Sequence, residues 1–301
     1  MRVFLTGATG FIGSRIVPEL IAAGHQVLGL TRSDAGAAAL AAQGAEAHCG
    51  TLEDPASLAA GAEQSDAVIH TAFDHDFSNF VANCEKDRAA LEAMGAALKG
   101  SNRPLILTSG TGMGGVTNGK LADEDVFDDS HPNPRILSEL TGQKLLDAGL
   151  DVRVVRLPQV HDPRRQGLIS PYVQIAREKG VAAYVGDGSN RWPAAHVLDV
   201  AKLYVLALDK GEKGVRYNAV DEEGVTARAI AEAVATGLDV PSRALSPEEA
   251  EAHFGWLAMF ITLDMPASSA KTRQRLGWQP GGPSLIEDLR AMDYSAPTWP
   301  W

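Results

Sequence analysis

Apolar residues run through Val3–Leu5 and stop at Thr6, and apolar positions then recur with helical spacing over residues 12–23 before a second apolar run at 26–30. A short apolar run bounded by turn residues predicts a buried strand, and a recurrence of 3.6 predicts a helix packed on it. The opening is therefore a strand, a glycine-rich turn, a helix and a second strand. The alternation continues, with helices expected at 35–43, 55–60, 79–98 and 135–148 and strands at 45–48, 67–70, 104–108 and 152–157. Strands alternating with helices predict an α/β fold, a Rossmann-like parallel sheet flanked by helices, with a smaller C-terminal substrate-binding region.

Beyond residue 165 the pattern loosens. Helices are expected at 168–179, 196–208, 226–236, 247–258, 268–276 and 284–292, with a strand at 215–219. A strand-like piece at 184–185 passes into a polar turn at 186–193. Thr226 and Ser246 have the side chains of helix N-caps. Residues 1–165 thus form the main dinucleotide-binding portion. Residues 166–301 form a mixed region that returns partly to the Rossmann core and builds the substrate lobe. The apolar stretch 254–261 has three readings: the roof of a pocket, a subunit contact or plain core. The terminal Trp299-Pro300-Trp301 fits docking on its own chain or on a partner.

Charge narrows the partners. The 301 residues carry a net charge of −11, which argues against nucleic acid or an anionic membrane surface as a partner. A small-molecule substrate is expected, and monomer and homodimer both remain open. Cys49 and Cys84 lie far apart without metal-ligand spacing, which suits a reducing, cytoplasmic setting. No apolar stretch is long enough to cross a bilayer, and no leader pattern precedes the first strand. Asp74, His75 and Asp76 read as loop polarity or capping, because nothing downstream completes a metal-ligand set.

The candidate chemistry lies at strand ends. Gly7, Gly10 and Gly13 leave room for a tight turn, for a pyrophosphate and for helix–strand packing, with Thr9, Phe11 and Ile12 in the same cradle. Arg32 is the first charged residue after the second strand, where an arginine pairs with a 2′-phosphate and an acid with a ribose hydroxyl. NADP(H) is favoured and NAD(H) remains possible. Ser33 is a second donor there, and Asp34 either bears on that choice or caps the next helix. Leu52 is placed to cover the adenine. Thr71, Ala72 and Phe73 run along the cofactor after the fourth strand, and Pro158 and Val160 do so after the sixth. Phe73 also walls a substrate pocket, and the loop 109–115 offers the Ser109 hydroxyl, Thr111 and Met113 to a substrate. His161, Arg164, Asn190 and Trp192 are pocket candidates by position, and Tyr172 and Tyr184 are further sources of a hydroxyl.

These residues resemble the extended short-chain dehydrogenase/reductase family, in its NAD-dependent epimerase/dehydratase-like branch. The resemblance covers nearly the whole chain. It rests on TGATGFIG at 6–13, VIHTA at 68–72, LTSGTGMGG at 107–115, VVRLPQVHDP at 154–163, HVLDVAKLYVLAL at 196–208 and KTRQRLGWQP at 271–280. It implies a hydroxyl that polarises the reacting oxygen, a tyrosine that exchanges its proton, and a lysine four residues later that lowers the tyrosine pKa and holds the nicotinamide ribose. Ser109 stands at the hydroxyl position. The Tyr-x-x-x-Lys pair is absent, and its places fall on His131 and Arg135. A histidine exchanges protons near neutral pH, and an arginine beside it disfavours the cation while orienting a ribose. The resemblance implies an NADP(H)-dependent oxidoreductase that interconverts a carbonyl and an alcohol on a small or medium organic substrate. Nucleotide-sugar epimerisation or dehydration is the second reading. A cofactor-binding sensor or structural protein is the third, since a fold does not establish activity.

Overall fold

The computed structural model describes residues 1–115 and 120–296. The first half follows the expected alternation: β1 (Arg2–Thr6), α1 (Gly13–Ala22), β2 (Gln26–Thr31), α2 (Asp34–Ala42), β3 (Glu46–Cys49), α3 (Pro55–Glu63), β4 (Ala67–His70), α4 (Phe80–Leu98), β5 (Pro104–Gly110), α5 (Ile136–Asp147) and β6 (Asp151–Leu157). The second half is more broken. It comprises β7 (Gln159–His161), α6 (Ile169–Lys179), β8 (Ala182–Val185), β9 (Arg191–His196), α7 (Val197–Asp209), β10 (Arg216–Asn218), β11 (Glu222–Thr226), α8 (Ala227–Leu238), β12 (Ser242–Leu245), α9 (Pro247–Phe254), α10 (Ala258–Ile261), α11 (Ala270–Leu276) and α12 (Leu285–Ala291). The terminal Trp299-Pro300-Trp301 lies outside the described residues.

Among the described residues the main sheet has seven strands in the order β10-β6-β5-β4-β1-β2-β3, and every pairing in it is parallel. Side chains alternate across each strand, so Val3 and Leu5 of β1 enter one apolar layer with Ile16 of α1 and Tyr204 of α7. Phe4 enters the opposite layer with Leu58 of α3 and Met94 of α4. The strand order reverses between β1 and β4. In such a sheet the connections leave that point on opposite faces and open a crevice beyond the carboxyl ends of the strands.

A second apolar cluster holds the C-terminal lobe together, with Tyr172 of α6, Trp192 of β9, Val234 of α8 and Phe254 of α9 among its members. Here the structure departs from the sequence pattern. The polar turn expected through residue 193 ends early, because Arg191–His196 is the central strand of a three-stranded sheet, β11-β9-β7. A proline inside a central strand is disfavoured because it donates no ladder hydrogen bond. Pro193 is accommodated because the β9–β11 register slips between Glu222 and Val225, directly across from it, as at a bulge. The expected helix 247–258 is two helices, since Gly255 takes a φ of 56° in the left-handed region that ends helices. Capping fared better. Thr226 accepts the Ala229 N–H, and Ser246 forms a capping box with Glu249.

Candidate functional site

The crevice is a single cleft of about 980 Å³ running from the β1 turn to the C-terminal lobe. Its floor at the β1 end is backbone. Gly7 has a φ of 69°, and a Cβ there would lie 2.7 Å from Thr71 Oγ1 and 2.9 Å from the Ala72 nitrogen. A Cβ on Gly13 would lie 2.1 Å from the Gly7 carbonyl oxygen, so α1 rests on the turn only without a side chain. Gly10 is less crowded from within, its nearest contact being 3.1 Å away. Its missing side chain keeps the space above the α1 N-terminus clear, where free N–H groups suit a diphosphate. Thr9, Phe11, Ile12, Leu52, Thr71, Ala72, Phe73, Pro158 and Val160 all line this half. Arg32 also lines it, is exposed, and among the described residues has no hydrogen-bond or ion-pair partner. This donor set and cradle fit a nicotinamide dinucleotide.

A buried polar chain crosses the middle of the cleft. Thr6 Oγ1 accepts the N–H groups of Thr71 and Ala72, each at 3.2 Å, and lies 2.7 Å from His70 Nδ1. With both acceptor sites used, the Thr6 hydroxyl donates to Nδ1, and His70 Nε2–H donates to Asp87 Oδ1 at 3.0 Å. Asp87 Oδ2 then receives Arg135 Nη1 at 2.8 Å and the Ser138 hydroxyl at 2.5 Å. Burial pushes the Asp87 carboxyl up, but Arg135, His70 and Ser138 outweigh it and hold the carboxyl below its usual range. Arg135 Nη2 donates to the Thr108 carbonyl at 2.8 Å, and the guanidinium lies over Phe73 at 4.3 Å. Where the resemblance implies a lysine, the structure thus has an arginine with its own buried counter-ion.

Ser109 lines the same stretch and is buried. Its hydroxyl makes no well-formed hydrogen bond, yet lies close enough to Glu139 to help depress that carboxyl. Burial raises Glu139, and the stronger opposing pull comes from Arg156, whose Nε and Nη2 each donate to it at 2.8 Å. The wholly buried Arg156–Glu139 pair forms a rigid floor beneath Ser109. Thr111 and Met113 complete the lining of this loop.

Several expected site residues stand elsewhere. His131 does not line the cleft. Its Nδ1 accepts the Asn133 N–H at 3.1 Å, so the two prolines of 131–134 set a capped turn ahead of α5 and the imidazole serves that turn. Ser33 is outside the lining too, and its hydroxyl caps α2 by accepting the Gly36 N–H at 3.2 Å; Asp34 is the first residue of that helix, not its cap. His161 is wholly buried against Asp288 at 2.7 Å. Arg164 lies in a turn closed by Asp162 Oδ1, and its neighbour Arg165 lines the cleft instead. Asn190 is committed to the carbonyls of Ile261 and Leu263 at 2.9 and 3.2 Å. Trp192 does line the cleft. Tyr172 gives its hydroxyl to the Ala183 carbonyl at 2.8 Å, and neither it nor Tyr184 reaches the lining.

The far half of the cleft was the least legible from sequence. Asp76 caps a short turn, 77–79, that carries Phe77 to the wall. Phe77 stacks on Trp256 with ring centroids 4.6 Å apart and planes 7° apart. Phe80 meets Phe73 and Phe260 edge-on. His75, read from sequence as loop polarity, also lines this half. It is exposed by area yet surrounded by protein on most sides, the combination expected of a side chain facing the inside of a cleft. Burial and then the charges of Arg135 and Arg165 lower its pKa to about 4, so the ring is neutral at pH 7. The apolar run 254–261, with Phe73 and Trp192, was the available signal for this wall, and nothing local pointed to Phe77 or Phe80.

A family model described as the NAD dependent epimerase/dehydratase family matches residues 3–220. An uncharacterized protein of Schizosaccharomyces pombe is 46% identical over 98% of this chain and 100% of its own length. Sterol-4-alpha-carboxylate 3-dehydrogenase, decarboxylating, of Dictyostelium discoideum is 24% identical over 75% of this chain and 73% of its own. Among solved structures, the Thermus thermophilus UDP-glucose 4-epimerase in complex with NAD superposes with a TM-score of 0.75 at 22% identity, covering 97% of both chains.

Proposed function

The chain belongs to the NAD dependent epimerase/dehydratase family, whose chemistry runs on a nicotinamide cofactor, and from that premise we propose that it is an NADP(H)-dependent oxidoreductase interconverting a carbonyl and an alcohol on a small or medium organic substrate. The observation that carries this reading is the Ser109 hydroxyl, buried at the end of β5 without a well-formed hydrogen bond, in a cleft continuous with the glycine cradle. Backbone N–H groups of the Gly7–Gly13 turn hold the diphosphate, Arg32 pairs with the 2′-phosphate, and Leu52 covers the adenine. Thr71, Ala72, Phe73, Pro158 and Val160 flank the nicotinamide half.

When bound, the reduced nicotinamide supplies a hydride to the carbonyl carbon. On substrate binding the Ser109 Oγ–H turns from Glu139 to the carbonyl oxygen, where negative charge develops, and the balancing proton reaches that oxygen from water in the cleft. Arg135 uses Nη1 and one Nη2–H inward, toward Asp87, Ser138 and Thr108. Its remaining N–H groups orient the ribose or the substrate, while the Asp87 anchor fixes the plane of the guanidinium on Phe73. His131 takes no part in this arrangement.

The test is reduction of a panel of aldehydes and ketones, followed by loss of NADPH absorbance, with the wild type and Ser109→Ala. Loss of an aimed hydrogen-bond donor costs about 10²–10³ in kcat, and that drop is expected with NADPH affinity retained. Equal rates for the two proteins contradict the role of Ser109. NADPH binding without turnover of any carbonyl favours the sensor reading.

A further inference from the structure

Two charged clusters elsewhere are internally satisfied. Arg216 and Arg156 share the Glu139 carboxylate, and Asp199 is taken up by the N–H groups of Gly281 and Gly282. The far half of the main cleft is different, because aromatic rings make up most of its wall. Six aromatic side chains line it: Phe73, Phe77, Phe80, Trp192, Trp256 and Phe260. They come from the β4 end, the start of α4, β9 and the α9–α10 junction, and the five other than Trp192 touch edge-to-face or stacked at 4.6–6.4 Å.

We propose that the substrate of this cleft is a flat, predominantly apolar carbonyl compound, an aryl ketone or aryl aldehyde, held against the aromatic wall with its oxygen toward Ser109. The proposal rests on the oxidoreductase reading and deepens it. In the parallel Phe77–Trp256 stack each ring covers one face of the other, so an incoming ring meets an outer face or an edge, and aromatic rings prefer offset stacking or edge contact with another ring. Charge points the same way. A second diphosphate, as in a nucleotide sugar, needs cations, whereas the acids at this end are Asp74 and Asp76, both held below the usual carboxylate range. Their hydrogen bonds, first to Lys86 for Asp74 and to Ser78 for Asp76, keep them so. Of the cations near it, Arg165 stands over Phe11 at 5.4 Å and Arg135 is anchored on Asp87, and both lie near enough to His75 to lower its pKa. His75 is neutral there, so burying an apolar ring beside it strands no charge.

The experiment is calorimetric titration of 2-acetylnaphthalene into the protein saturated with NADP+, a state in which the ketone binds without being reduced. Saturable binding is expected, and Phe77→Ala and Trp256→Ala weaken it at least about 10-fold while NADP+ affinity stays within about 2-fold. The retained NADP+ affinity reports that each variant is folded, and Trp256, 39% exposed, is a mild place to substitute. The proposal is overturned if the ketone does not bind, if UDP-glucose binds the same complex more tightly, or if both variants bind the ketone like the wild type. Binding of the ketone with no NADPH consumption in the reverse assay supports the pocket and contradicts the oxidoreductase reading. Turnover of glyceraldehyde without binding of the ketone does the opposite.

Discussion

The two ends of the cleft are made of different material. The cofactor end is backbone: Gly7 at positive φ, Gly13 with no room for a Cβ, and the strand ends at Thr71–Ala72 packed on the turn. The substrate end is side chain, a set of rings brought together from residues 73–80, 192 and 256–260. A site made of backbone fails when any atom is added, whatever its chemistry. A site made of rings changes its preference when a ring is removed and leaves the rest standing. The Thr6–His70–Asp87–Arg135 chain joins the two ends, so it is the place where one substitution should damage both.

Asp87→Leu is therefore the largest expected effect. It leaves the Arg135 cation buried without its partner, which costs about 3–5 kcal/mol of stability, read by urea unfolding; a loss under about 1 kcal/mol would mean that the chain is not what holds Arg135. Next comes Gly13→Ala, whose methyl would sit 2.1 Å from the Gly7 oxygen. Overpacking of that kind costs about 1–3 kcal/mol, and cofactor affinity should fall with it. Unchanged NADPH binding would erase the contrast between the two ends. Arg32→Ala acts on one group of the ligand. Losing a charged hydrogen bond of about 1.5–3 kcal/mol weakens NADPH roughly 10- to 100-fold and leaves NADH nearly untouched, and equal losses for both would refute the 2′-phosphate contact.

The smallest effect is on pH dependence, because His75 is exposed by area and solvent screens the shift. The His75 pKa is lowered from 6.5 to about 4 in the folded protein, so between those values the unfolded chain binds more protons and stability falls as pH falls. The contribution is fully present above pH 6.5 and is lost as the pH drops through 4. His75→Phe should flatten that part of the stability profile, measured by urea unfolding at a series of pH values. An unchanged slope would mean that the ring is not enclosed.

The contrast between the ends also explains what could be read from the sequence. The cradle was legible because it is contiguous: strand, Gly-spaced turn and helix occupy residues 2–22, and only the close approach of Thr71 and Ala72 to Gly7 comes from elsewhere in the chain. Six parallel strands of the sheet were legible for the same reason, from strand–helix periodicity, and so was a strand at 215–219, but not its place as the seventh beside β6. Asp87 was not, because an acid within a long helix reads as surface until the fold brings His70 and Arg135 against it. His75 and Phe77 were hidden in a polar loop, and the rings that Phe77 meets, Trp256 and Phe260, lie far off in sequence. His131 marks the limit of alignment by spacing. Spacing puts it where the resemblance implies a tyrosine, but local turn geometry, not register, decides where a side chain before two prolines points.

The hydride-transfer assignment is tested most directly by following isotope. The protein is given NADPH deuterated at nicotinamide C4 together with 2-acetylnaphthalene and a panel of simpler aldehydes and ketones, and the products are analysed by mass spectrometry and NMR. The expected result is one deuterium on the carbinol carbon for each NADPH oxidised. NADPH bound at the cradle with no deuterium in any product would contradict it.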